Sequence, residues 1–258
     1  MAASATTLEL KVFRMAVCLH PYVTMTDFQG PVELLGAFST TNRKLFGDLY
    51  PDLPDCAIDI DYLSHTLEPV TPTAGPTVNP TMTFEEGKKV DFDIVFVPGG
   101  PNPPKFAHPS CLDFIKNNGP KAKYLLTVCT GSWLVARTGL LTGKRATTNK
   151  AMYRLVVEDT KEFNVEWVPK ARWVVNEDMH IWTSSGVTAG THGTLFCGSL
   201  HLADISSGLD DGAGIDLAYN FLKHLVGEKF ADVMKGITEF STKENSSDDE
   251  FAVHFGLA

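Results

Sequence analysis

Cys129 is the residue whose setting points most directly to chemistry. It follows the apolar run 124–128 (Tyr-Leu-Leu-Thr-Val) and precedes Thr130-Gly131-Ser132, after which a helix over 132–137 is expected. A strand that turns sharply into a helix through a cysteine presents the thiol beyond the sheet edge, as strained nucleophile elbows do. Main-chain N–H groups at such a helix start, with the positive end of its dipole, would lower the thiol pKa and expose a thiolate. A free cysteine is also a common core residue. A buried structural thiol is therefore the competing reading, and the position on the elbow favours function.

Two other segments could serve that thiol. Val97-Pro98-Gly99-Gly100 runs from a strand into paired glycines, where Gly99 and Gly100 either form a plain turn or bring backbone N–H groups to a developing oxyanion. Asp27, in Thr26-Asp27-Phe28-Gln29-Gly30-Pro31, is expected in the loop before a helix over 31–38 that opens at Pro31. From there its carboxylate either caps the helix or reaches across the sheet top toward Cys129, whereas Glu33 lies one turn inside. Metal and cofactor signals are weak. His108 with Cys111, and His192, Cys197 and His201, match no metal-ligand spacing. The stretch 139–145 (Gly-Leu-Leu-Thr-Gly-Lys-Arg) lacks phosphate-loop spacing, Gly212-Ala213-Gly214 is no dinucleotide fingerprint, and no Gly-x-Ser-x-Gly occurs. No metal and no cofactor are expected.

Positioning these residues falls to short apolar runs that alternate with amphipathic stretches, at 12–19, 58–63, 94–97, 124–128 and 181–183. That alternation predicts an α/β fold, a doubly wound, mostly parallel sheet with helices on both faces, of flavodoxin-like type. Ligands in such sheets bind beyond the carboxyl ends of the strands. A further helix is read over 151–163, and Ile215, Ala218, Phe221, Leu222, Leu225 and Val226 repeat at helical spacing. Four prolines in 69–80 mark a loop or edge hairpin. The Ser- and acid-rich stretch 241–250 is expected to fray, as part of a tail over 241–258. One domain over 12–240 is the economical division.

The chain has 258 residues, 43% of them hydrophobic, with a net charge of −9. This is ordinary globular usage, and the charge argues against nucleic acid or an anionic membrane surface as partner. Five cysteines, an odd and scattered set, favour free thiols in a reducing compartment. Residues 1–11 do not resemble a signal peptide, and nothing approaches the roughly 18 apolar residues of a membrane span, so a cytoplasmic protein is expected.

Several of these motifs together resemble the ThiJ/PfpI superfamily, which has the class I glutamine-amidotransferase-like fold, and within it the isonitrile hydratase branch. The resemblance is carried by Asp27-Phe-Gln-Gly-Pro31, Val97-Pro-Gly-Gly100, Val128-Cys-Thr-Gly-Ser132, the block from Arg137 to Thr148, Gly186-Val-Thr-Ala-Gly190 and Ile215-Asp216. It implies cofactor-independent hydration of a small isonitrile to the N-substituted formamide, with Cys129 as nucleophile, Asp27 as acid/base and Thr130 orienting the intermediate. Gly99 and Gly100 would offer backbone donors. Ser185 would stand where the branch has a glycine beside the thiol, and a homodimer is implied. Two departures stand out: Thr130 replaces the His that the superfamily's amidases and proteases place after the cysteine, and Asn149 replaces a His common in the hydratases.

Residues 191–214 interrupt what the branch keeps as a continuous Thr-Ala-Gly-Ile-Asp joint. A lid, an inert surface loop and translated intron sequence compete, the last because Gly190-Thr191 and Ala213-Gly214 can be encoded across GT and AG splice sites. For function, a cysteine-based stress protein that acts on reactive carbonyls or senses oxidants, and a non-catalytic ligand-binding domain, stand as alternatives to isonitrile hydration.

Overall fold

A computed structural model of the chain describes residues 10–49, 53–186, 212–247 and 249–257. In order, the elements are β1 (Lys11–Cys18), α1 (Met25–Gly36), α2 (Thr40–Phe46), β2 (Cys56–Ser64), β3 (Met82–Thr83), α3 (Phe84–Gly87), β4 (Ile94–Val97) and α4 (Pro103–Phe106). There follow α5 (Pro109–Asn118), β5 (Tyr124–Val128), α6 (Gly131–Arg137), β6 (Arg145–Ala146), α7 (Tyr153–Asp159), β7 (Glu166–Trp167), β8 (Trp173–Val175) and β9 (Ile181–Ser184). The chain closes with α8 (Ala213–Val226), α9 (Glu228–Thr238) and α10 (Glu250–His254).

Seven strands form one sheet in the order β3-β2-β1-β4-β5-β9-β8. All neighbours pair in parallel except the β8–β9 edge. The five apolar runs read from sequence are five of these strands. Apart from 58–63, which alternates apolar with acidic residues, they are nearly continuous in hydrophobicity because both faces of the sheet are covered. On β1, Met15 and Val17 join a core with residues of α1, α8 and α9, while Ala16 and Cys18 join a second core with residues of α5 and α6. On β4, Ile94 and Phe96 turn to the first core and Val95 and Val97 to the second, the two-residue alternation of a strand buried on both sides. No described helix is long and apolar enough to cross a membrane.

Two expectations about local structure change, and a third is narrowed to one of its alternatives. First, α1 begins at Met25, and Pro31 lies inside it, so Asp27 sits in the helix's first turn and not in a preceding loop. A proline leaves the carbonyl four residues earlier without its helical donor, which here is the carbonyl of Asp27 itself. The neighbouring Gly30 lies close against α8, where a Cβ would be 3.0 Å from the Ile215 side chain. Second, the tail does not fray in its described part. The Arg172 N–H donates to the Ser246 carbonyl (2.7 Å), the Lys243 N–H to Asp216 Oδ1 (2.7 Å), and Asp249, 4% exposed, caps α10. Third, the proline-rich stretch closes as a hairpin with an antiparallel bridge between Val70 and Val78. The expectations for residues 191–214 fall outside the described residues, apart from Gly212, Ala213 and Gly214, where α8 starts.

Asp216, in the first turn of α8, receives Arg172 Nε at 2.8 Å and Nη2 at 2.6 Å, and both side chains are withdrawn from solvent. Removing one member of a buried pair strands the other charge, which is worth about 3–5 kcal/mol. Asp216→Ala is therefore expected to lower the free energy of unfolding by about that amount in urea titration, and an unchanged midpoint would show that the guanidinium is hydrated after all.

Candidate functional site

Three neighbouring strands, β1, β4 and β5, deliver the site from their carboxyl ends. Cys129 leaves β5 with φ +59°, a left-handed conformation that a non-glycine side chain adopts only at a strain on the order of 1 kcal/mol or more. The strained peptide is tied down. Its N–H is shared between the carbonyls of Ser184 and Ser185 at 3.1 Å each, while its carbonyl accepts the hydroxyls of Ser132 (3.1 Å) and Thr148 (3.2 Å). The next residues must be small because β4 passes directly beneath: a Cβ at Gly131 would lie 2.0 Å from the Val97 carbonyl oxygen.

The Pro98-Gly99-Gly100 turn closes on this elbow. A Cβ at Gly99 would lie 2.6 Å from both the amide nitrogen and hydroxyl of Thr130 and 3.0 Å from Asp27 Oδ2, so the absence of a side chain there lets the carboxylate and the elbow meet. Gly100 does not supply a spare donor. Its N–H donates to the Thr130 hydroxyl (2.9 Å), and that hydroxyl donates to the Gly100 carbonyl (2.6 Å). The two residues brace each other, which leaves the Thr130 N–H, directed at the sulfur, as the donor at the reacting atom.

The thiol's electrostatics reverse the sequence expectation. Cys129 is only 6% exposed, and burial pushes its thiol well above the ordinary range; the charge of Asp27 pushes the same way. Hydrogen bonds from the Thr130 N–H and the Asn149 amide oppose this, and the bond with the Asp27 side chain reinforces it. Asp27 itself is fully buried. Two acidic groups that face one another in a dry site oppose each other's ionisation, so the setting works against a thiolate at the helix start.

Asn149 is the residue that sequence reasoning passed over. The position was noted only for lacking an imidazole, yet its side chain takes that place at the sulfur. Its Oδ1 accepts the Met152 N–H (3.1 Å), which leaves the amide NH2 to face Cys129. Ser185 meets Cys129 through its carbonyl, and the glycine beside the thiol is Gly186. A Cβ there would lie 3.6 Å from Sγ and 2.9 Å from Asn149 Nδ2. Glu33 is exposed on α1 and takes no part. Among the described residues no group of three or more His, Cys, Asp or Glu could hold a metal ion.

Known proteins share this arrangement of chain. The chain is 33% identical over 173 residues, 67% of its own length, to an isonitrile hydratase from Pseudomonas putida, of which it spans 64%. A deglycase from Pyrococcus abyssi is 29% identical over 119 residues, 46% of this chain and 67% of the relative. Among solved structures, a ThiJ/PfpI family protein from Pseudomonas syringae superposes with a TM-score of 0.63 at 23% identity, covering 94% of this chain and 83% of the other. The sequence model of the DJ-1/PfpI family matches residues 14–195, and with the parallel sheet and the cysteine elbow already described, the chain belongs to the DJ-1/PfpI family.

Proposed function

We propose that this protein hydrates an isonitrile to the corresponding N-substituted formamide, without a cofactor, through a covalent adduct on Cys129. The observation that carries the reading is one buried sulfur faced by one buried carboxylate, with the Thr130 N–H and the Asn149 amide on the sulfur and Thr130 in the place after the cysteine where the superfamily's Cys–His hydrolases have an imidazole. The similarity to the Pseudomonas putida isonitrile hydratase supports it.

The proton balance suits this pair. The terminal carbon of R–NC must gain a sulfur and a hydrogen, so the S–H of Cys129 adds across it: Asp27 takes the thiol proton as the C–S bond forms and delivers it to the carbon. The product is a thioimidate, R–N=CH–S–Cys. Water then attacks the same carbon while Asp27 accepts its proton, and the C–S bond breaks as protons return to nitrogen and sulfur. R–NH–CHO leaves and the thiol is restored. Protons move one at a time between the thiol, water, Asp27 and the substrate, with no oxidant or reductant. A setting that opposes ionisation of the thiol suits this sequence, because the carbon needs both the sulfur and its proton.

Relatives named as deglycases favour a second reading, attack of the same thiol on a reactive carbonyl. Incubation with cyclohexyl isonitrile, followed by N-formamide detection, and a parallel incubation with methylglyoxal separate the two. In the first, Cys129→Ala is expected to reduce formamide formation to the uncatalysed background, and turnover retained by this variant would overturn the mechanism. Asp27→Asn is expected to give at most a mass adduct on Cys129 without turnover, seen by intact mass.

The same variant tests the electrostatics. Replacing the carboxylate with a neutral amide removes a cause that raises the thiol pKa, so the titration of Cys129 should move downward. At neutral pH, Cys129 in Asp27→Asn should then react with iodoacetamide faster than in the parent, by on the order of tenfold. An equal or slower rate would mean that Asp27 does not oppose ionisation of the sulfur.

A further inference from the structure

One buried cation beside the site has no part in the proton transfers above. Lys150 follows Asn149, and its side chain is 1% exposed. Its ammonium donates to the Thr147 hydroxyl (2.6 Å), the Ala171 carbonyl (2.7 Å) and the Thr148 carbonyl (3.4 Å). Asp249 Oδ2, equally buried, faces it at 3.5 Å. Burial lowers the ammonium pKa to about 8; Asp249 acts against this and Arg172 with it, and the Tyr153 ring lies 5.9 Å away. Lysine is the side chain that most readily gives up its charge when buried, so keeping one here requires a structural return.

That return is visible in what the ammonium holds. Thr147 donates its N–H to the Thr183 hydroxyl on β9 (2.9 Å), Thr148 bonds the Cys129 carbonyl, and Asn149 reaches the sulfur. On the other side, Ala171 precedes Arg172, whose carbonyl accepts the N–H of Ser185 (2.7 Å), the residue beneath Cys129. A single charged group thus ties together both chain segments that bear on the sulfur. Its counter-charge comes from a third, the carboxyl-terminal segment.

We propose that Lys150 is a positioning residue for the Cys129 site, acting through Asn149, and that the carboxyl-terminal segment completes the site by supplying Asp249 to hold it. The proposal rests on Cys129 as the reacting atom and is independent of which substrate it attacks.

Coupling is the test, because a lysine that only stabilises the fold would act on Cys129 equally with or without Asn149. Lys150→Met and Asp249→Asn are each made alone and together with Asn149→Ala. The rate of Cys129 modification by iodoacetamide is followed by peptide mass, with stability measured in urea. Each single variant is expected to change that rate on the order of tenfold, and to change it less than about twofold once Asn149 is alanine. The same fold-change in both backgrounds, or no change in the parent background, would overturn the proposal. Should Lys150→Met fail to fold, Asp249→Asn carries the same two readings, since it keeps the ammonium and the shape of its partner. Alkylation does not require an isonitrile, so absence of formamide would count against the proposed function and leave this result standing.

Discussion

The left-handed peptide at Cys129 is the constraint from which the rest of the site follows. A side chain at φ +59° is displaced from the direction it would take in a continuing strand, and here the sulfur meets the Asp27 and Asn149 side chains. Nothing local pays for this conformation; the residue is neither glycine nor asparagine. The stabilisation comes from its surroundings: two carbonyls sharing one N–H, two hydroxyls on one carbonyl, and a glycine on each side of the contact with β4, at Gly99 and Gly131, where a Cβ would collide with backbone. Strain of this kind persists only where neighbouring structure over-determines it.

Burial then decides the protonation of what the elbow presents. A helix start of one or two turns offers N–H groups to a thiolate, and Thr130 supplies one, but desolvation and a facing carboxylate outweigh it. The balance is between two oriented donors, the Thr130 N–H and the Asn149 amide, and the loss of water around a charge, and in a dry interior the second is larger. The consequence is chemical as well as energetic. An exposed thiolate would suit a sensor of oxidants, open to solution and reactive with whatever arrives. At Cys129 burial and the facing carboxylate both act against such a thiolate.

Much of this was legible in the sequence where a single physical rule dominates. Strands buried on both faces must be apolar throughout, so residues 94–97 and 124–128 announced themselves, as did the cysteine and the glycine pair that follow them. The start of α1 was not legible, because a proline at 31 is the usual sign of a first helical turn, whereas here the helix runs through it from Met25. The thiol's direction of shift was missed for a different reason. The donor on its own segment, Thr130, is adjacent in sequence, whereas the charge that acts against it comes from Asp27 in the first turn of α1, about a hundred residues away. Asn149 was hidden by its type: an amide is unremarkable in a loop until its oxygen is seen to be engaged by the Met152 N–H, which turns the NH2 toward the sulfur.

The two buried ion pairs extend that logic to the end of the chain. Ser- and acid-rich composition over 241–250 reads as a solvated tail because acidic side chains normally prefer water. That preference reverses when a buried cation is waiting, since an ammonium such as Lys150 without a partner in a dry site is costlier than the two charges together. The same argument applies where Lys243 and Ser246 offer main-chain groups to Asp216 and to the Arg172 N–H. Lys150 thus draws in one acid of the segment, Asp249, while main-chain bonds hold its Lys243 and Ser246 against Asp216 and Arg172. Removing solvent from the sulfur and recruiting the carboxyl-terminal segment are then one requirement: the loops that cover the thiol bury cations, and those cations need acids.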